Sequence, residues 1–282
     1  MMHPHELPPP VDSLPSRTLV RQDCASGVLT LSMDAPETGN AISTHMAEAL
    51  AQALERANTR PDVHCVLLRS TGRHFCTGGN VKDMERGADL MQGSPADIHS
   101  RLKQSLHRIT LALRSLQVPS IAAVNGAAVG AGCDLALMCD LRVASDRATF
   151  AESFLRLGLV SGIGGAWYLT RIVGTAKALE LTLTSEFIDA PTALRLGLVN
   201  QVVAPDELDA YSRNLALRIA SNPPQALRMA KRLVLDAAES SLPAALENAA
   251  ALQAILLTGQ EHKTVVRQFL QQRAQRATPT TA

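Results

Sequence analysis

Between Arg114 and Asp134 the chain carries no charged side chain. A run that apolar has to leave water, either in a bilayer or in a protein interior. Its length alone would suit a membrane span. Its punctuation does not: Pro119, Asn125, Gly126, Gly130 and Gly132 break it, and Asp134 follows at once. The segment reads as a buried strand from Pro119 to Val124, a glycine turn, and a helix near 131–138.

The flanking sequence repeats this alternation. Residues 18–24 and 27–33 pattern as strands around Ser26-Gly27, followed by a loop from Pro36 to Asn40. A helix is expected over 43–58, with Ser43 as N-cap and Met46, Leu50, Ala53, Leu54 and Ala57 on one face. Val63 to Arg69 reads as a strand, 71–80 as a glycine-rich loop, and 95–116 as a helix apolar at Leu102, Leu106, Ile109 and Leu113. Leu141 to Ala144 is a further strand, and Val199 to Val203 the last one of the core. Helices dominate beyond a third glycine cluster at 158–165, over about 164–172, 175–183, 191–196, 206–221, 224–238, 243–257 and 261–274. Three segments follow: a Pro-rich tail at 1–17, an α/β core at 18–205 and a helical region at 206–282.

Charge and cysteine usage narrow the function classes. Against 27 Lys+Arg stand 26 Asp+Glu, so no general electrostatic grip on nucleic acid or on a membrane surface is expected. Aromatic residues are 3% of the chain, too few for platforms that stack bases. Five cysteines (24, 65, 76, 133, 139) are an odd number without a CxxC. Neither a disulfide framework nor a cysteine zinc site is expected, and a reducing, cytoplasmic setting is. The tail lacks the apolar stretch of a secretory signal.

The glycine clusters fail the phosphate-binding patterns. No Lys-Ser/Thr follows Gly72–Gly79, Leu135 stands where the third glycine of GxGxxG should follow Gly130-Ala131-Gly132, and Ser161 lacks a GxSxG frame. Two strand–glycine–helix junctions remain, at Phe75–Asn80 and Asn125–Asp134. Such junctions expose backbone N–H groups, and two converging ones can hold an oxyanion. Glycines that merely permit tight turns are the alternative.

Taken together, these segments resemble the enoyl-CoA hydratase/isomerase (crotonase) family. The likeness covers roughly residues 18–275. It is carried by Pro36 with Asn40-Ala41-Ile42, by Phe75 to Met84, by Val124 to Asp140, by Leu157-Gly158 with Gly164-Gly165, by Ala193 to Val199, and by Phe269-Leu270 before Arg273. The resemblance implies a crotonase-like spiral of ββα units and a helical C-terminal region that packs trimers, often paired into hexamers. It implies an acyl-CoA thioester as substrate, with CoA entering only as part of it and no separate cofactor or metal.

The resemblance also distributes roles. The N–H groups of Gly79 and Ala131 would hold the thioester oxygen, although the family usually has Gly where this chain has Ala131. Asn40, Ala41, Thr77, Gly78, Val81, Lys82 and Gly130 would surround the substrate, Lys82 toward a CoA phosphate, with Phe269 and Arg273 over the adenine end. Residues 84–100 would form the variable acyl wall. The first of the family's two acid–base Glu residues falls on Asp134, whose place at a helix start would favour the ionised base. The second falls on Phe154, and the Asp that some relatives carry elsewhere falls on Gly162. Double-bond isomerisation or proton transfer is therefore expected over hydration. The alternatives are a hydratase that recruits another carboxylate such as Glu152, or a non-catalytic CoA-thioester-binding subunit. Cys76 beside the first loop is expected to pack and not to react.

Overall fold

The structure, a computed structural model, describes residues 18–277, with side chains as far as 273. The Pro-rich tail at 1–17 lies outside the described residues. Strands β1 (Val20–Ala25) and β2 (Val28–Met33) form a hairpin. Ser26 and Gly27 at its tip have φ 53° and 80°, the left-handed pair that a two-residue hairpin turn requires. From β2 the sheet continues in parallel through β3 (Cys65–Ser70) and β4 (Ser120–Val124). The short β5 (Ala128–Val129) leaves it, and β6 (Leu141–Ser145) returns to pair with β4.

Helices make the crossovers. Helix α1 (Thr44–Ala57) starts at Ser43, whose hydroxyl accepts the Met46 N–H at 3.1 Å, and it buries the face expected from its periodicity. Between β3 and β4 run α2 (Val81–Glu85), α3 (Pro95–Arg101), a π-helical turn at Leu102–Leu106, and α4 (His107–Ser115). Helix α5 (Ala131–Met138) is wholly buried, as the charge-free run requires. Beyond β6 come β7 (Thr149–Ala151), α6 (Gly165–Thr184), β8 (Ile188–Asp189), α7 (Ala190–Arg195) and β9 (Gln201–Val203). Gly174, at φ 76° and ψ 161°, breaks α6 into the two helices foreseen from the pattern.

The main sheet has the order β1-β2-β3-β4-β6-β9. Side chains alternate between its faces, as the two-residue strand period demands. Leu29, Leu31, Val66 and Leu68 enter the larger core with α1, α4 and α5. Val28, Cys65, Leu67 and Val143 face α8 (Leu208–Ala220) in a smaller one. A second sheet, β5-β7-β8, was not expected. Its two- and three-residue strands are too short to show a period. The last three helices, α9 (Pro224–Ala237), α10 (Leu242–Thr258) and α11 (Gln260–Ala277), project a row of apolar side chains. Leu242 and Phe269, for example, are 72% and 62% exposed.

Candidate active site

The small sheet brings the two glycine junctions together. Cys76 N–H donates to Ala127 O, and Val129 N–H donates to Cys76 O, both at 3.0 Å. The approach is too close for side chains. A Cβ on Gly132 would lie 2.0 Å from Cys76 O, and one on Gly78, itself at φ 88°, 2.7 Å from Val129 O. These contacts explain why glycine stands at both positions. The Gly78 carbonyl accepts from Ile42 N–H at 2.8 Å, which ties the junction to the start of α1.

Among the described residues, neither the Gly79 nor the Ala131 N–H has a protein acceptor. Ala131 is the first residue of α5, where the N–H has no intrahelical partner and the helix dipole is positive. Both residues line a cavity of about 390 Å³. Thr77, Gly78, Val81, Gly130 and Phe154 line it too. The π-helical turn adds Leu102 and Leu106, one turn apart on the same wall. Met84, Leu90, Met91 and Ile98 come from the predicted variable segment. The wall is therefore mostly aliphatic, with a polar backbone corner.

Other expected site residues lie elsewhere. The Asn40 side chain is buried and committed to the backbone: Oδ1 accepts from Ala35 N–H, and Nδ2 donates to Thr71 O and His74 O. It shapes the loop that supports Thr77, whose N–H donates to Gly39 O at 3.0 Å. Ala41 is buried beside it and off the cavity wall, which begins at Ile42. Lys82 is exposed on α2, while Phe269 and Arg273 are exposed on α11; none of the three lines the cavity. Cys76 is fully buried, and burial pushes its thiol up to about 12. It packs.

Asp134 corrects the sequence reading most. It was expected ionised under the dipole of α5, beside the reacting carbons. Its side chain is completely buried and is absent from the cavity wall. Burial holds the carboxyl well above its ordinary value, and Glu152 pushes the same way. A helix terminus is worth about 0.3–1 kcal/mol at a surface, less than the cost of taking a carboxylate out of water. The Ser161 hydroxyl, donating to Asp134 Oδ2 at 2.7 Å, and the Gly165 N–H oppose this without reversing it. Glu152 is buried as well, raised by burial, and its carboxyl meets Asp134 and Cys133. Gly162 does line the cavity, and its carbonyl accepts from His107 Nε2 at 2.8 Å.

Sequence reasoning missed Leu102 and Leu106 as wall residues, and Phe187 and Arg156 at the rim. The Arg156 guanidinium lies 4.8 Å from the centre of the Phe187 ring. Phe187 precedes a two-residue strand, so no periodicity announces it. Ser161 was weighed only as a hydrolase nucleophile. Among the described residues, no group of three His, Cys, Asp or Glu is placed to hold a metal ion.

An unpaired backbone corner in an aliphatic cavity, carried on an α/β fold with a helical C-terminal region, is the arrangement expected of the family that the sequence resembles. Comparison with known proteins agrees. The profile of the enoyl-CoA hydratase/isomerase family matches residues 23–277, and the chain belongs to that family. A Rhodobacter capsulatus protein named a probable enoyl-CoA hydratase is 33% identical over 254 residues, covering 90% of this chain and 95% of the relative. The 1,2-epoxyphenylacetyl-CoA isomerase of Escherichia coli is 32% identical over 88% of this chain and 93% of its own length. The crystal structure of enoyl-CoA hydratase from Mycobacterium smegmatis superposes with a TM-score of 0.81 at 33% identity, covering 90% of this chain and 96% of that one.

Proposed function

We propose that the chain is an acyl-CoA enzyme that moves protons on a thioester enolate, with double-bond isomerisation favoured over hydration. The observation that carries this reading is Phe154. Its ring lies in the cavity wall against Gly130, where a Cβ on that glycine would meet it at 3.6 Å. Hydration needs water activated at the β-carbon as well as a proton at the α-carbon. An apolar ring supplies neither and excludes water. Isomerisation needs only a proton removed from one carbon and returned to another.

The Gly79 and Ala131 N–H groups hold the thioester oxygen. As the C2–H bond breaks, its electrons move onto that oxygen, which the two donors and the dipole of α5 stabilise. Collapse of the dienolate with a proton delivered to C4 shifts the double bond. Lys82, exposed just outside the cavity on α2, serves the CoA phosphates. The exposed apolar row of α9–α11 serves a homotrimer or a hexamer, read out by sedimentation at micromolar concentration. A monomer there sinks the assembly.

The test follows hydration of a 2-enoyl-CoA and migration of a 3-enoyl double bond in one preparation. Migration faster than hydration supports the reading. Rapid hydration without migration overturns it. A second reading, a binder of CoA thioesters without turnover, draws on the burial of Asp134 off the cavity wall. It requires binding with neither reaction.

A further inference from the structure

Among the described residues that line the cavity, Arg156 is the only Lys, Arg or His. No hydrogen bond or ion pair from the described residues reaches its guanidinium, which rests over the Phe187 ring alone. Other arginines are engaged: Arg101 donates to the Asp89, Leu90 and Gln92 carbonyls, and Arg108 pairs with Glu48 and Glu55. Neither acid in the cavity wall pairs with Arg156. Asp89 accepts from Thr44 through both oxygens, and Asp83 is on α2 beside Lys82.

The segment that carries Arg156 joins the two walls of the cavity. Ser153–Leu157 is a 3-10 helix closed by Gly158 at φ 67°. Near its start the Phe154 ring lies against Gly130, next to the Ala131 N–H. Beyond it, a Cβ on Gly162 would meet Leu102 Cδ2 at 3.6 Å. Arg156 therefore stands between the oxyanion corner and the aliphatic wall, whereas Lys82 is off the wall on α2. A guanidinium stacked on a ring uses its face and leaves its N–H edges for a planar acceptor, the fork that fits a carboxylate. The residue is exposed at the rim, so a carboxylate there pairs without the full cost of leaving water.

We propose that Arg156 selects acyl groups that end in a second carboxylate, so that the substrates are CoA monothioesters of dicarboxylic acids. The inference rests on the proposed enolate chemistry and names the acyl class on which it acts. The thioester oxygen occupies the backbone corner, the methylene chain follows the aliphatic wall, and the terminal carboxylate accepts from the Arg156 N–H groups at the rim.

Adipyl-CoA, its terminal methyl ester and hexanoyl-CoA isolate the end group, since all three carry the same CoA. Glutaryl- and suberyl-CoA, each against its ester, bracket the length. Calorimetry gives Kd, and NMR in D2O gives exchange of the C2 protons. At the best length the dicarboxylic thioester is expected to bind about tenfold more tightly than its ester, or better, the scale of a hydrogen bond to a charged group. The advantage shrinks as salt is raised. In Arg156→Gln, checked for folding by melting, the preference disappears. Equal native affinities for acid and ester at every length overturn the proposal without recourse to a variant. A preference that survives in folded Arg156→Gln overturns it too, as does an equal weakening of hexanoyl-CoA and the diacid thioesters, which would put the guanidinium on a CoA phosphate. Exchange of hexanoyl-CoA with no diacid preference leaves the enolate reading standing and removes only the role of Arg156. A native chain that neither binds nor exchanges any of these thioesters overturns both.

Discussion

The cavity has two walls made in opposite ways. One is backbone: the junctions at Thr77–Asn80 and Gly130–Ala131, clamped by hydrogen bonds and by glycines in atomic contact. The other is side chain: Met84, Leu90, Ile98, Leu102, Leu106 and Phe154, carried on short helices and a π-helical turn. A backbone wall offers the same N–H groups whatever acyl group arrives. A side-chain wall changes shape with each substitution. Under the proposed function, the difference ties the first wall to the reaction and the second to the acyl group it is performed on.

Substitutions sharpen the contrast. Gly132→Ala should have the largest effect, because its Cβ would lie 2.0 Å from the Cys76 carbonyl and the junctions must separate. We expect a loss of about 3 kcal/mol or more in unfolding free energy, visible in denaturant titration. A melting curve unchanged from the native one breaks the idea of a clamped wall.

Next comes Ala131→Pro. Proline is tolerated at the first residue of a helix and removes only the N–H that α5 does not use. Turnover should fall by about 3 kcal/mol in transition-state terms, while the fold survives. Steady-state kinetics paired with circular dichroism checks this. Full turnover in a folded variant removes Ala131 from the oxyanion site.

Changes in the other wall should redirect and not abolish. Leu102→Ala widens the cavity and should shift preference toward bulkier acyl groups by about 1–3 kcal/mol in kcat/KM, measured across a chain-length series. Phe154→Glu should raise hydration of a short 2-enoyl-CoA about tenfold or more. Equal loss for every chain length in Leu102→Ala would make that wall structural.

The smallest effect concerns pH. The folded Asp134 and Glu152 carboxyls titrate above their ordinary values, so the folded chain binds more protons than the unfolded one between the two ranges. Their contribution to stability is fully present below the unfolded carboxylate range and is lost as pH rises through the folded values. Glu152→Gln removes one of the two. Tm should then fall less steeply from pH 5 to pH 8, by a few degrees across the interval at about 1 kcal/mol. Parallel Tm–pH curves for the two proteins would show that the pair carries no such penalty.

Much of the fold could be read along the chain. The charge-free run marked β4, the turn and α5; Ser43 marked the start of α1; and glycine at 174 divided α6. These are local signals: period, caps and φ preferences. The second sheet could not be read, since its strands are too short to carry a period. Nor could the wall role of Phe187, which pairing of β7 with β8 creates. Lys82, Phe269 and Arg273 entered by resemblance alone, and within one chain they stand outside the cavity.

Asp134 marks the boundary between the two kinds of knowledge. The residues themselves dictated that a strand, a glycine turn and a helix would follow one another here, because backbone preferences and the absence of charge act over a few positions. The same local view placed a carboxylate under a helix dipole and predicted an ionised base. Only tertiary structure brought Glu152, Ser161 and Gly165 around it from distant parts of the chain. The environment of a titratable group is a sum over everything within a few ångströms in space. Burial there outweighs the dipole that sequence alone could see.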